Sequence, residues 1–549
     1  MLRSTFLGYK TATSALKVNQ NHMDVVGQNI SNINTKGYTR QRLDISALSL
    51  NASNMKFGTT GAIIGQGVQT SGVSQYRDAF LDLRYRMEAA KSGSESVQLE
   101  ALRDLESTLD EISMDKLDAQ FSDLLTQLQS LTRSPSDPVM EGVVRTSAEI
   151  LTQMLNDYSR DIDTIYEQQL DYLENGAIVK VNQLTKNIAK LNQQIKESNI
   201  SGNPALELND ERNVLIDELA DYLDIEVDIE PLDIGGGKTV DELVIRLGGT
   251  DFNLVDRNNS TEIGIEINND IIHIREVGVD SDGNKEFKKD ITNDIKGGQL
   301  DGYLKFLNGK GEFATDKDKD IDEGYEKAAE VKGIQYYKNM LDTLANKFAT
   351  VMNDHNKTPN TYDPITGIAI ESERKAKPLF EARDTDPTAP ITAGNIKISA
   401  DWASATGSYI TNTIKEKADT DEDTTGAVDN ILRMINAFNT DYTFKTIVDF
   451  DGDPNTDDMQ KNLFEGTFQE FLSYTTTKLN LQTADVQTSY ETYSETQFHI
   501  DYARSSMSSV DLNEEGVNLL QYSKSYNAAA RLMTTLDEML ETLINRMGV

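Results

Sequence analysis

The sequence predicts a multidomain, mainly α protein with a β insertion: a terminal α-helical coiled-coil pair, a long antiparallel helical core and an outer antiparallel β domain. Three observations carry this prediction. Apolar residues recur at alternating spacings of three and four along the first and last stretches of the chain. The same helical spacing fills most of the interior between about 80 and 222. From residue 225 the period drops to two, the mark of a strand with one buried face.

The N-terminal stripe is Leu2, Thr5, Tyr9, Ala12, Leu16, Asn19, Met23, Val26, Ile30 and Ile33. Its counterpart is Leu512, Glu515, Leu519, Tyr522, Tyr526, Ala529, Met533, Leu536, Leu540, Leu543 and Met547. A sustained 3.5-residue repeat is the pattern of a coiled-coil seam. A helix of about 30 residues is about 45 Å long, more than the width of a small domain. Residues 1–50 carry a net positive charge and residues 505–549 a net negative one. The first helix is therefore expected to pair with the last, 1–45 with 505–549, and Asn19 to fix the register. Outside the seam, Phe6, Leu7, Val18 and Val25 on one helix and Leu520, Leu532 and Ile544 on the other are expected to stay exposed. Such ends are marginal alone and complete themselves against other copies of the chain.

Residues 80–132 are predicted helical, with Leu102, Leu105, Leu109 and Ile112, then Phe121, Leu124, Leu128 and Leu131, at three/four spacing. Asp137 and Pro138 supply an N-cap and a first-turn proline for a second long helix to about 198, and 204–222 forms a shorter one. These segments, with 321–358 (helical over 324–356) and 427–504 (helical near Val428 and again from about Phe464), make a helical core spanning 46–225, 321–358 and 427–504. Residues 226–320, where acids outnumber bases, are assigned to one outer acidic β domain. Residues 359–426 are expected to be irregular with a few strands, either part of that outer region or a domain of their own.

Across 549 residues the formal charge is −37, with 38% apolar residues, 26% charged residues and no cysteine. At roughly 100–200 residues per domain, the length implies three or four domains. So acidic a chain lacks the cationic surface that nucleic acid or an anionic membrane requires, and no nucleic-acid partner is expected. No apolar run nears the roughly 20 residues of a membrane span, so no membrane insertion is expected, and the N-terminus lacks the apolar core of a secretory signal. The missing cysteines exclude disulfides and thiolate chemistry, and suit a chain that passes from a reducing to an oxidising compartment.

After Ile30 the chain runs through short polar residues to Gly37, which is expected to end the helix in the left-handed conformation. The run Asn29-Ile30-Ser31-Asn32-Ile33-Asn34-Thr35-Lys36-Gly37-Tyr38-Thr39-Arg40-Gln41 resembles the N-terminal signature of the axial proteins of the bacterial flagellum, the rod, hook and hook-associated proteins. Its Gly-Tyr-Thr-Arg-Gln ending is most similar to the hook-associated protein 1 branch. Asn29, Asn32, Asn34, Thr35, Gly37 and Tyr38 carry the motif. Val510-Asp511-Leu512-Asn513-Glu514-Glu515 and Tyr526-Asn527-Ala528-Ala529-Ala530 resemble the family's C-terminal motif, with Ser509 where glycine is commoner. The stretch from Gly297 to His355 also resembles the middle region of that branch.

The resemblance implies a structural adaptor at the junction of hook and filament, exported unfolded through the type III channel. It implies contact with flagellar hook protein and with hook-associated protein 3, and an export chaperone on the C-terminal helix. It also implies an extracellular position on the flagellum. A hook or distal rod protein is the alternative within the family; a secreted acidic adhesin or enzyme is the alternative outside it.

Sequence patterns for chemistry fail one by one. His22, His273, His355 and His499 stand far apart with no metal-binding spacing. Gly235-Gly236-Gly237-Lys238-Thr239 has Leu232 where a phosphate loop needs its first glycine. The acidic runs at Asp318–Asp322 and Asp449–Asp453 have Glu323 and Pro454 where a calcium loop needs glycine. No catalytic residue, metal ligand or cofactor is assigned. The expected working surface is the two terminal stripes.

Overall fold

A computed structural model describes residues 5–48, 67–111, 114–235, 238–279, 285–363, 365–366, 369–383, 390–415, 426–446 and 460–546. Leu2, Ile112, Gly236, Gly237, Met547 and the acidic run at 449–453 lie outside these.

In chain order, α1 (Thr5–Ser31) leads into a hairpin of β1 (Gln41–Ala47) and β2 (Val68–Gln75). Then come α2 (Ala79–Glu111), α3 (Met114–Leu131) and α4 (Pro138–Asp171). Seven residues wound as a π-helix, Tyr172–Ile178, join α4 to α5 (Val179–Ile200), and α6 (Leu206–Tyr222) follows. Seven strands come next: β3 (Ile225–Gly235), β4 (Lys238–Leu247), β5 (Asn253–Asp256), β6 (Asn259–Ser260), β7 (Glu262–Asn268), β8 (Ile271–Val279) and β9 (Lys285–Asp290). Helices α7 (Gln299–Asn308) and α8 (Ile334–His355) precede the short strands β10 (Thr361–Tyr362), β11 (Ala369–Ile370), β12 (Phe380–Ala382) and β13 (Ile396–Ile398). The chain closes with α9 (Ala400–Ser404), α10 (Asp429–Ala437), β14 (Tyr442–Lys445), β15 (Asn462–Gly466), α11 (Phe468–Ser508) and α12 (Leu512–Arg546). This is the mainly α, multidomain fold with antiparallel sheets that the periodicity predicts.

Two compact units divide the chain: residues 1–90, 181–261 and 493–549 in one, and 91–180 with 262–492 in the other. In the first, α1 packs antiparallel on α12. α1 also packs on the β1–β2 hairpin. The sheet β3-β4-β5-β6 belongs to the same unit, and Asn192 of α5 donates to the carbonyls of Leu243 and Arg257 at 3.4 and 2.7 Å.

The second unit is built on α3, α4, α8 and α10 around an aromatic core. Phe121 meets Phe348 edge-on at 5.3 Å, and Phe348 meets Phe468 at 5.6 Å. Asp137 accepts from the Val139 amide at 2.9 Å with Pro138 in the first turn of α4, as the capping pattern requires. Glu141, buried near the start of α4, holds the 402–410 segment. It accepts from Trp402 Nε1 at 3.0 Å, Ser408 Oγ at 2.8 Å and the Tyr409 amide at 2.9 Å.

Several sequence expectations differ from this arrangement. The strands of 226–320 form two sheets, β3–β6 and β7–β9, and 299–308 is helical. A period of two identifies a strand but not its sheet partner. Helix α8 starts at Ile334 rather than 324, after a 3₁₀ turn at Glu326–Ala329, and α11 starts at Phe468 after β15. Gly37 does adopt φ +78°, but in a turn beyond α1, which ends at Ser31. Short side chains that bond back to the helix carbonyls end it first: Asn32 Nδ2 reaches Gln28 O at 3.0 Å.

Candidate assembly site

The helix pair is set by contacts whose residue numbers run in opposite directions. A side chain added at Gly8 would lie 3.3 Å from Leu536. Thr13 faces Met533 across 3.9 Å. His22 stacks on Tyr522 at 4.2 Å with the rings 6° from parallel. Asn29 lies 3.4 Å from Glu515. The two helices therefore run antiparallel.

The stripes are only partly consumed by the pair. Ala12, Val26 and Ala529 are buried. Leu16, Asn19, Met23, Ile30, Tyr522, Tyr526, Met533, Leu536 and Leu540 are half-buried. Tyr9, Leu519 and Leu512 remain exposed, the last at 55%. Leu543 lies on the last turns of α12. Asn19 does not reach across the pair. Its amide donates to the Ala15 carbonyl of its own helix at 2.7 Å, so the register is held by the His22 and Asn29 contacts. Val18 is buried, not exposed, because α1 has a second packed face. Ser14, one turn earlier, accepts from the Val68 amide at 3.4 Å and abuts Gly67 of the hairpin. Leu520 and Leu532 are exposed as expected, joined by Val517 and Met539.

At the end of α1 the signature motif becomes a lock. Asn29 is 1% exposed, and its amide pairs with both backbone groups of Gln41 at 3.0 Å each. The Tyr38 hydroxyl donates to the same Asn29 oxygen at 2.9 Å. Gly37 is pressed against α6: a Cβ there would sit 2.1 Å from Val214 Cγ2. Thr35 donates to Asn32 at 3.2 Å within the turn, and Asn34 is exposed. The Thr39 amide and the Gln75 side chain both donate to Asp210, at 3.0 and 2.9 Å.

Charge then ties the hairpin to the last helix. Arg40 binds Glu515, which is 1% exposed, at 2.8 Å, and grips Glu514 through two nitrogens at 3.0 and 2.9 Å. Its amide donates to the Ser508 carbonyl at 2.8 Å, and Asp511 caps α12 through the Asn513 amide at 2.7 Å. A second network joins α2, α6 and α11. Arg504 reaches Asp82 at 2.9 Å and Asp217 at 2.5 Å, and Arg86 reaches Asp217 at 2.7 Å. A cleft of about 690 Å³ lies between Tyr38, Arg77, Asp217 and Arg504.

Burial lifts the Tyr38 phenol above its usual range, reinforced by the charges of Glu207, Asp210 and Glu515. Burial likewise raises Asp210, against the opposing Thr39 hydrogen bonds and Arg77. Burial works to lower Arg504, but Asp217 and Asp82 outweigh it and hold the guanidinium above its usual value. Among the described residues no group of three or more His, Asp or Glu is placed to hold a metal ion, and no helix is long and apolar enough to cross a membrane.

Arg40 belongs to the quoted signature and Glu515 to the stripe, yet neither is singled out by sequence reasoning as their contact deserves. A charged residue at a seam position is the signal that marks Glu515. Nothing in the sequence marks Asp210, Asp217 or Arg504.

The fold resembles a solved structure described as the flagellar hook junction protein FlgK from Burkholderia pseudomallei. The TM-score is 0.51 at 12% identity, covering 77% of this chain and all of that one. Residues 10–39 match the family described as flagella basal body rod protein, and 504–547 match flagellar basal body rod FlgEFG protein C-terminal. Both terminal matches are to families of the axial structure of the bacterial flagellum. Residues 102–370 match the helical domain of flagellar hook-associated protein FlgK. Flagellar hook-associated protein 1 of Bacillus subtilis (strain 168) is 26% identical over 559 aligned positions, covering 100% of this chain and 99% of that protein. The Escherichia coli (strain K12) protein of the same name is 29% identical over 224 positions, 40% of this chain and 39% of its own length. Along its whole length the chain is similar to flagellar hook-associated protein 1.

Proposed function

We propose that this chain is a non-catalytic structural subunit at the junction of hook and filament. The observation that supports it most is the end-to-end likeness to a hook-associated protein 1, covering both terminal helices and the helical domain between them. A hook or distal rod reading draws only on the terminal matches.

In this reading the domain made of 1–45 and 505–549 is the assembly surface, and Tyr9, Leu512, Leu519 and their neighbours on α12 meet other copies. Hook protein lies on one side and hook-associated protein 3 on the other. The chain works outside the cell, on the flagellum, after export through the type III channel. A chaperone covers α12 beforehand, since Val517, Leu520, Leu532 and Met539 leave that helix apolar and exposed.

The test is a deletion strain. Hooks without filaments are expected, with gold-labelled chain restored to the hook tip on complementation. Normal filaments on the deletion strain's hooks would overturn the junction reading. Leu536→Asp with Leu540→Asp is expected to lose complementation while unfolding of the 91–180 and 262–492 unit stays unchanged.

A further inference from the structure

Away from the helix pair, two helices of the same unit leave side chains of one spacing uncovered. On α2, Phe80, Leu83, Arg84 and Met87 share a face at i, i+3, i+4 and i+7, and the three apolar members are 63, 46 and 46% exposed. The Arg84 guanidinium lies 5.9 Å from the centre of the Phe80 ring. On α11, Glu495, Phe498, His499 and Tyr502 repeat that spacing, with Phe498 and Tyr502 67 and 70% exposed.

The two faces cannot meet within one chain. Asp82 and Arg86, on the other side of α2, bind Arg504 and Asp217. Arg504 and buried Ile500 likewise hold the inner side of α11. Each face points away from the other helix.

We infer that the α2 face of one copy docks on the α11 face of a second copy, Arg84 against Glu495 and the two aromatic rings. This rests on the junction-subunit reading and names one contact within it. The charges are complementary: one face is apolar with the Arg84 cation, the other aromatic with Glu495, whose carboxylate lies 3.7 Å from His499 on the same exposed face. The faces differ, so the contact is head-to-tail, the type that builds rings and helical tubes rather than closed dimers. Two helical turns on each side bury far less than the roughly 1,200 Å² of a stable independent interface. The contact therefore forms only among copies already gathered by their ends.

The chain has no cysteine, so Leu83→Cys with Phe498→Cys in the full-length protein gives a clean cross-linking probe. Flagella carrying this double variant are oxidised and run without reductant. A ladder of covalent multimers is expected from the double variant and monomer alone from each single variant. Dimers from either single variant mean that like faces meet, and overturn the inference. Monomer alone from the double variant, with the chain present in the flagella, overturns it while leaving the junction reading intact. If the cysteines block incorporation, Arg84→Glu and Glu495→Arg decide. Each alone is expected to lower incorporation about fivefold, and together to restore it; absence of rescue overturns the contact. A wild-type chain missing from flagella overturns the junction reading and this contact with it.

Discussion

The imidazole of His22 lies flat on the ring of Tyr522, joining the first helix of the chain to the last. Burial holds this histidine below its usual value of 6.5. The unfolded chain therefore binds the proton more readily than the stacked ring does. Stability of the helix pair is expected to be full above pH 6.5 and to fall as pH drops below it, until the lowered folded value is passed. Hydrogen exchange of α1 and α12 at pH 5 and pH 7, corrected for intrinsic rates, measures this. His22→Phe keeps a stacked ring and should abolish the difference.

Gly37 is constrained twice, by φ +78° and by Val214. Gly37→Ala is expected to destabilise the first unit by about 2 kcal/mol or more, since strain and overpacking add. Val214→Ala removes the clashing methyl but not the backbone strain. Urea unfolding should show partial rescue in the double variant.

Asn29 satisfies both backbone groups of Gln41 from a buried position. Asn29→Ala leaves an amide, a carbonyl and the Tyr38 hydroxyl without this partner, at a cost of about 2–4 kcal/mol. Asn29→Asp is no repair, because a carboxylate cannot donate to Gln41 and would face Glu515. Both should raise exchange rates in β1 and the end of α1.

Trp402 is the single tryptophan and donates to Glu141. Glu141→Ala removes the acceptor for the indole, Ser408 and the Tyr409 amide together. Fluorescence should shift to the red, and the midpoint of unfolding followed by this probe should fall while that of the other unit stays fixed.

The terminal helices were legible because a seam must repeat, and Ala12, Val26, Tyr522 and Leu536 stand where the repeat puts them. Val18 was not, because its cover is a hairpin whose strands lie more than twenty residues downstream. The lock around Asn29 is harder still. Asparagine, tyrosine and aspartate read as turn chemistry, and only tertiary geometry gives them buried partners. Glu141 is one acid among 90 Asp and Glu residues, with no local pattern to separate it. The division of strands between β3–β6 and β7–β9 escaped for a simpler reason: alternation says which face of a strand is wet, never which strand lies beside it.

The π-helical stretch Tyr172–Ile178 has a consequence for how relatives of this protein differ in length. A wide turn of this kind holds one residue more than an α-helix would over the same rise. Dropping a residue there returns the run from α4 to α5 to ordinary winding without rotating either flank out of phase. Shorter relatives should therefore place their gap inside this window, and Gly176, with nothing within 4 Å of where a Cβ would lie, is the cheapest position to lose.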